Sequence, residues 1–175
     1  GESGLNARSM LEQARKAYVV LGAEPDLDCA NGVLAVSALK QAATVVMLTP
    51  FKSNAMLDYA DVLLPVSPFS ETSGTFVNTE GRAQSFHAST KPQGESRPAW
   101  KVLRVLANLL EMPGFEFTSS ETVRAEAIGQ NVEFVSGLDN GIDGISLITS
   151  SGASNQFERV TDVPIHYADP LVRRA

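Results

Sequence analysis

The sequence predicts an α/β fold with a mostly parallel sheet, and the arrangement of its apolar segments is the main reason. Short apolar runs rich in β-branched residues occur at 17–22, 44–49 and 61–66, with helical patterns between them. These runs are continuously apolar rather than alternating, which is typical of strands covered on both faces. Right-handed crossovers should join such strands, and ligands bind beyond their carboxyl ends. We therefore expect any ligand to lie near residues 22–26 and 49–54.

Helical signals in the first half of the chain account for the connections between these strands. Ser9 and Glu12 have the spacing of a capping box, which predicts a helix over residues 9–16. Residues 30–43 also show helical spacing, although Gly32 weakens the first turn. The segment between the second and third strands is long enough for one or two helical turns.

The stretch ETSGTFVNTEGRAQSF, residues 71–86, is interpreted as a β-hairpin. Its strands are expected at 75–77 and 82–86. Between them, Asn78 suits the first position of a type I turn. Gly81 suits the last position, where a left-handed backbone completes a bulged hairpin.

The polar side chains of this stretch are expected to hold the hairpin in place. Gly74 allows neighbouring backbone to approach closely. Glu71 and Arg82 are near enough to form an ion pair, and if its bonds are buried, Arg82→Ala should cost about 1 kcal/mol or more. The alternative is that Glu71 or Glu80 acts as a general acid or base. Nothing in the local sequence would tune the pKa of either carboxyl group for that role.

Two further helices and an edge strand are predicted in the second half of the chain. The first helix starts with a Ser96 cap and has Pro98 in its first turn. It carries an apolar stripe in which Trp100 is a core anchor, so we expect it to be mostly buried. A more exposed helix is predicted at 119–129, and residues 162–170 are expected to form an edge strand.

Composition divides the chain into three parts. Residues 1–135 are predicted to form the α/β domain. Residues 136–155 are rich in Gly, Ser and Asn, and we interpret them as a flexible connection. Residues 156–175 are expected to be a C-terminal segment that leads into the next part of a longer subunit.

Charge and cysteine content exclude several function classes. The 175-residue chain has a net charge of −6 and a pI near 4.9, which argues against nucleic acid as a partner. Arg173 and Arg174 make too short a basic run to change that conclusion. The single cysteine, Cys29, excludes a disulfide framework and a multi-cysteine metal or iron–sulfur site in this segment. Neither His87 nor His166 has a second ligand at metal spacing, and no apolar run is long enough to insert directly into a membrane.

Several motifs, in this order and spacing, resemble the molybdopterin oxidoreductase superfamily. They are VVLGAEPD at 19–26, ADVLLP at 60–65, ETSGTFVNTEGRAQ at 71–84 and KPQGESRPAWKVLRVLANLL at 91–110. Within the superfamily, FVNTEGRAQ and the ending VPIHYADPLVRRA are most similar to the large iron–sulfur subunits of NADH:quinone oxidoreductase, respiratory complex I. The resemblance implies a three-layer α/β domain that keeps the superfamily fold without its molybdenum cofactor.

The sequence departs from cofactor-binding members of the superfamily at two places. Glu24 stands where many members have Asn, and SNAM at 53–56 stands where they usually have Thr-Glu-Thr-Ala. The resemblance therefore implies no cofactor, no metal and no catalytic residue in this fragment. The motif positions that match the family are carried over as structural: Glu71, Gly74, Asn78, Glu80, Gly81 and Arg82.

For the full-length subunit, the resemblance implies iron–sulfur clusters of the 2Fe-2S and 4Fe-4S types in an N-terminal region. The whole enzyme would transfer electrons from NADH to quinone and translocate protons. The implied partners are that cluster-bearing region and the other peripheral-arm subunits of complex I. The implied location is peripheral, on the cytoplasmic side of the bacterial inner membrane.

Two alternatives stay open at this point. In a true molybdopterin enzyme of the formate dehydrogenase or nitrate reductase type, the loops at 22–26 and 49–54 would hold a guanine dinucleotide. Gly22 and Glu24 would then contact the cofactor, and Asn78 or Arg82 would face the metal cavity. The other alternative is a free-standing nucleotide-binding module, although GAEPD is not a GxGxxG fingerprint.

Overall fold

The computed structural model describes residues 4–129 and 167–174. The strands are β1 Ala17–Leu21, β2 Thr44–Thr49, β3 Val62–Pro65, β4 Gly74–Val77 and β5 Ala83–Phe86. The helices are α1 Ala7–Glu12, α2 Pro25–Asp28, α3 Gly32–Gln41, α4 Ala99–Leu109 and α5 Ser120–Ile128. Short 3₁₀ turns lie at Ala55–Asp58, Phe69–Glu71 and Val172–Arg174. The predicted mixed α/β fold, with a parallel sheet and a hairpin, is confirmed.

The parallel sheet has the strand order β1–β2–β3. Its register places Val20, Met47 and Leu63 side by side on one face. This face packs against α3, where Leu39 and Ala38 join Met47 in the main cluster of buried side chains. The strand positions follow from the sequence because each run is short, apolar and rich in β-branched residues.

The opposite face of the sheet is partly open in the part of the chain that the structure describes. Val19 and Val62 flank Val46 in register, and they are 58% and 42% exposed. Leu48, two residues further along β2, is fully buried. Coverage of this second face is therefore incomplete, in contrast to the expectation drawn from the continuously apolar strands.

α3 begins at a tightly packed position. The Asn31 side chain accepts a hydrogen bond from the Leu34 amide at 2.9 Å and so caps the helix. At Gly32, an added Cβ atom would clash with the backbone carbonyl oxygen of Asp26 in α2. Gly32 is thus required for the close packing of α2 against α3, which sequence reasoning did not foresee.

Two of the predicted helix caps are wrong. α1 is capped by Asn6, whose side-chain oxygen accepts a hydrogen bond from the Ser9 amide at 2.8 Å. Ser9 therefore lies inside the first turn, and the helix ends at Glu12 rather than near residue 16. α4 starts directly after Pro98 without a side-chain cap, while the Ser96 hydroxyl donates to a nearby backbone carbonyl.

The sequence predicted α5 correctly but predicted too much burial for α4. α4 is less buried than predicted: Ala107 is its buried residue, whereas Leu109 is 76% exposed. α5 agrees with the prediction, since Ser119 and Thr122 form a capping box and Gly129 follows the helix with a φ of +74°.

The remaining sequence predictions lie largely outside the described residues. This applies to the connection at 136–155 and to residues 162–166 of the expected edge strand. Residues 167–170 are described, and they are not part of a strand.

Candidate functional site

The hairpin turn has the predicted geometry. The Gly81 amide donates to the Asn78 carbonyl at 3.0 Å, and Gly81 has a φ of +77°. The Asn78 side-chain oxygen accepts hydrogen bonds from the amides of Glu80 and Arg82 at 3.0 and 2.9 Å. Asn78 therefore acts within its own turn, as an Asx residue that fixes the backbone.

Gly74 allows a close approach, but to a side chain rather than to backbone. It is the first residue of β4 and lies opposite Phe86 of β5. A Cβ at this position would lie 2.8 Å from the Phe86 ring. The freed space lets Phe86 stack on Phe76, with ring centroids 4.8 Å apart and an interplanar angle of 14°.

The predicted ion pair between Glu71 and Arg82 does not form. The half-buried Glu71 carboxylate instead accepts a hydrogen bond from the Gln93 amide at 3.1 Å. Arg82 and Glu80 are both exposed. The Glu71 carboxylate thus supports the loop at Gln93, whereas the Glu80 side chain is exposed.

The carboxyl ends of β1 and β2 form a second polar cluster, at the edge where sheet ligands are expected. Gly22 directly follows β1 and has a φ of +64°, and its amide donates to the Leu48 carbonyl at 2.8 Å. Two residues later, Glu24 is 3% exposed. Its amide donates to the Asp28 carboxylate at 2.7 Å. The first strand thus delivers a buried acid directly to this edge.

Two arginines from the far end of the chain neutralise this buried acid. Arg174 Nη1 lies 2.7 Å from Glu24 Oε1, and Arg173 Nη1 lies 3.6 Å from Glu24 Oε2. Arg173 Nη2 also pairs with the Asp28 carboxylate. The Arg174 guanidinium stacks on Phe51, with its central carbon 4.5 Å from the ring centroid. We call this group the arginine clasp: Arg173, Arg174, Glu24, Asp28 and Phe51.

Sequence reasoning missed the clasp because it assessed Arg173 and Arg174 only as a short basic run. One signal was available. A carboxylate near the end of a strand that is predicted to be buried can itself be buried, and it then needs compensating charge, since an unpaired buried carboxylate is strongly disfavoured. The sequence does not show which of its arginines provides that charge.

A cavity of about 700 Å³ lies between this edge, the hairpin and α5. Its walls are mostly apolar and include Leu21, Phe51, Phe69, Phe76, Phe86 and Trp100. Residues Asp169, Pro170 and Leu171 also line it. Trp100 is therefore a half-buried cavity wall rather than the predicted core anchor.

The hydroxyl groups of the second expected loop, 49–54, form hydrogen bonds with nearby backbone groups. The Thr49 hydroxyl donates to the Phe51 carbonyl at 2.8 Å and accepts from the Phe51 amide at 3.1 Å. The Ser53 hydroxyl accepts from the Met56 amide at 3.3 Å. The buried Glu24 and the internally bonded Thr49 are poorly suited to the phosphates of a dinucleotide, although Lys52 in the same loop is exposed.

The other candidate residues stay apart from this edge or lack its chemistry. Burial, followed by the negative charges of Asp28 and Asp26, raises the pKa of the Cys29 thiol, which disfavours a reactive thiolate. His87 is exposed, and His166 lies outside the described residues. Within residues 4–129 and 167–174, no group of three His, Cys, Asp or Glu side chains is arranged to hold a metal. No helix in these ranges is long and apolar enough to cross a membrane.

Comparison with known families agrees with this architecture. The family model described as Molybdopterin oxidoreductase matches residues 2–109, which run from α1 to the end of α4. The chain therefore belongs to the molybdopterin oxidoreductase family.

Two relatives give a finer comparison. The chain is 52% identical over 52 residues to the mitochondrial NADH-ubiquinone oxidoreductase 78 kDa subunit of Candida albicans. The matched stretch is 30% of this chain and 7% of that protein. The chain is also 49% identical over 59 residues to a Staphylococcus aureus protein named "Putative formate dehydrogenase", which covers 34% of this chain and 6% of that protein. The matched stretches are thus a small part of either relative.

Proposed function

We propose that this chain is a structural, non-catalytic portion of an iron–sulfur subunit of NADH:quinone oxidoreductase. The observation that carries the proposal is the arginine clasp. At the edge where a parallel sheet binds ligands, Glu24 is buried and paired with Arg173 and Arg174. A buried carboxylate at this edge, with both of its cationic partners supplied by the chain itself, is poorly suited to an anionic cofactor.

Two further observations support the same proposal. The chain resembles the complex I 78 kDa subunit of Candida albicans at 52% identity over the matched stretch. The family motif in the hairpin also has structural partners: Asn78 bonds its own turn, and Glu71 bonds the Gln93 amide.

In the whole protein, this portion would support electron transfer mechanically. The 2Fe-2S and 4Fe-4S clusters would be bound elsewhere in the subunit, and electrons would pass from NADH through them to quinone. Its exposed faces would contact the cluster-bearing region of its own chain and other peripheral-arm subunits. We propose a peripheral position on the cytoplasmic side of the bacterial inner membrane.

The second candidate function is a molybdopterin-dependent oxidoreductase, which the similarity to the Staphylococcus aureus protein favours. In that case Gly22 and Glu24 would contact the cofactor, and Asn78 or Arg82 would face the metal. The geometry gives this candidate less support. Asn78 is bound within its turn, and Glu24 is paired with arginine.

Metal analysis of the complete subunit separates the two candidates. The subunit, purified anaerobically, should contain iron and acid-labile sulfide but no stoichiometric molybdenum or tungsten. A molybdenum-dependent formate dehydrogenase purified in the same way is the control. Molybdenum or tungsten at about one atom per chain would overturn the structural proposal in favour of the second candidate.

A further inference from the structure

We propose that residues 167–174 form a strap that the arginine clasp holds across one side of the apolar cavity. The strap makes the carboxyl edge of the sheet a self-occupied site, closed by the chain itself. This inference concerns residues of this chain alone and does not depend on which enzyme contains it.

The charges of the clasp tie the strap to the edge of the sheet. The side chains of Arg173 and Glu24 are only 6% and 4% exposed. A charge buried to this degree is stable only when it is paired, so removal of Arg173 takes away the cation of Asp28 and leaves Glu24 with Arg174 alone. Arg173 also pairs with Asp28, which anchors the strap to α2 as well as to the end of β1.

The strap is folded so that it presents both guanidinium groups to the edge. The Asp169 side chain accepts hydrogen bonds from the amides of Leu171 and Val172, at 2.8 and 3.1 Å. Arg174 donates to the Pro170 carbonyl at 2.8 Å. These bonds shape a compact turn within the strap, and the turn points its arginines at the sheet.

The same short segment forms a wall of the cavity. Asp169, Pro170 and Leu171 line it together with Leu21 and Trp100. The clasp and this wall are continuous, because Phe51 lines the cavity and also stacks under Arg174. Release of the clasp should therefore expose the apolar interior on this side.

Trp100 provides a direct test, because it is the single tryptophan of the chain and lines the cavity. In the full chain, Arg173→Gln combined with Arg174→Gln should increase acrylamide quenching of Trp100 by about twofold or more. Fluorescence of the apolar probe 1-anilinonaphthalene-8-sulfonate should rise in parallel. The matched control is Arg8→Gln combined with Arg82→Gln, which removes the same charge from exposed positions and should change neither signal.

A milder variant covers the case in which the double substitution prevents folding. Arg174→Gln alone removes the charge of a side chain that is 30% exposed, so the chain should fold and show a smaller increase in quenching. Glu24→Gln should give a similar increase, and its combination with Arg174→Gln should lower the Tm by less than the sum of the two separate shifts. Unchanged Trp100 quenching with additive Tm shifts would show that residues 167–174 are not a strap. That outcome would also remove the clasp as support for the proposed function, which metal analysis tests separately.

Discussion

The hairpin and the carboxyl edge of the sheet are both rich in polar and charged residues, but these residues find their partners in different ways. In the hairpin, Asn78 bonds the amides of residues two and four positions further on. At the edge, Glu24 is paired with Arg174, which lies 150 positions away in the chain. The first arrangement is local and exposed, and the second is long-range and buried.

This difference determines which substitutions should lower the stability of the protein most. An exposed turn exchanges its hydrogen bonds with water at little net cost, so single changes there have modest effects. A buried ion pair is demanding, because loss of one member leaves a desolvated charge behind. We therefore expect the exposed polar residues of the hairpin, Asn78, Glu80 and Arg82, to be more tolerant of substitution than the buried charged residues of the arginine clasp.

The largest effect is expected for Gly32→Ala, next to the edge. In an ordinary helix, this change gains up to about 1 kcal/mol. Here the added Cβ would clash with the Asp26 backbone, so we expect a loss of about 3 kcal/mol in the free energy of unfolding, measured by urea denaturation. Gly4→Ala is the control, since nothing lies within 4 Å of its added Cβ. A stabilised Gly32→Ala variant would show that α2 and α3 do not pack closely.

A smaller effect is expected in the hairpin for Asn78→Ala. This change removes an acceptor used by two backbone amides, and we expect a loss of about 1 kcal/mol, because water replaces the acceptor at this exposed position. Asn78→Asp keeps the acceptor oxygen but places a second carboxylate beside Glu80, so it should cost less than Asn78→Ala without being neutral in the same denaturation experiment. A loss as large as that of Gly32→Ala would remove the proposed contrast between the two regions.

A third prediction uses pH to examine the region behind the edge. Burial, followed by the negative charges of Asp26 and Glu24, raises the pKa of Tyr59 to about 12. The pKa of an unfolded tyrosine is about 10, so between pH about 10 and about 12 the unfolded chain releases this proton while the folded chain keeps it. Stability should therefore be fully present below pH about 10 and should fall as the pH rises through this window.

Tyr59→Phe should remove that part of the alkaline loss, as measured by urea midpoints at neutral pH and at pH about 11. At neutral pH, we expect a change below about 0.5 kcal/mol, because the buried Tyr59 hydroxyl has no hydrogen-bond partner among residues 4–129 and 167–174. Tyr18→Phe is the comparison, since it removes a hydroxyl that donates to the Met10 carbonyl at 2.8 Å. Identical alkaline curves for wild type and Tyr59→Phe would contradict the assignment.

The same contrast explains which features the sequence could predict. The turn at Asn78 and Gly81 was predictable because its bonds lie within a few residues, and the parallel strands were predictable from their continuous apolar runs. The N-terminal cap of α1 was not predictable, because Asn6 and Ser9 both have side chains that suit the capping position. Local sequence does not determine which of them is chosen.

Partner choice over long distances was beyond sequence reasoning. Glu71 is equally compatible with Arg82 and with a backbone amide, and only the fold brings the Gln93 amide to it. The pairing of Glu24 with Arg173 likewise depends on where the strap lies in three dimensions. The hairpin has a dense run of polar residues, but the more strongly buried charges lie at the carboxyl edge of the sheet.

The smallest effect is expected for Arg82→Ala. A buried pair with Glu71 would make this change cost about 1 kcal/mol or more, but no such pair forms and Arg82 is exposed. The contribution of Arg82 to the turn comes from its backbone amide, which donates to Asn78 and remains in the alanine variant. We therefore expect the free energy of unfolding, measured by urea denaturation, to change by no more than about 0.5 kcal/mol, in line with other exposed substitutions.

Arg173→Ala gives the matched comparison at the edge, where the side chain is 6% exposed. It should lower the free energy of unfolding clearly more than Arg82→Ala does. Equal losses for the two arginines would mean that the hairpin and the edge do not differ in how they use their charges.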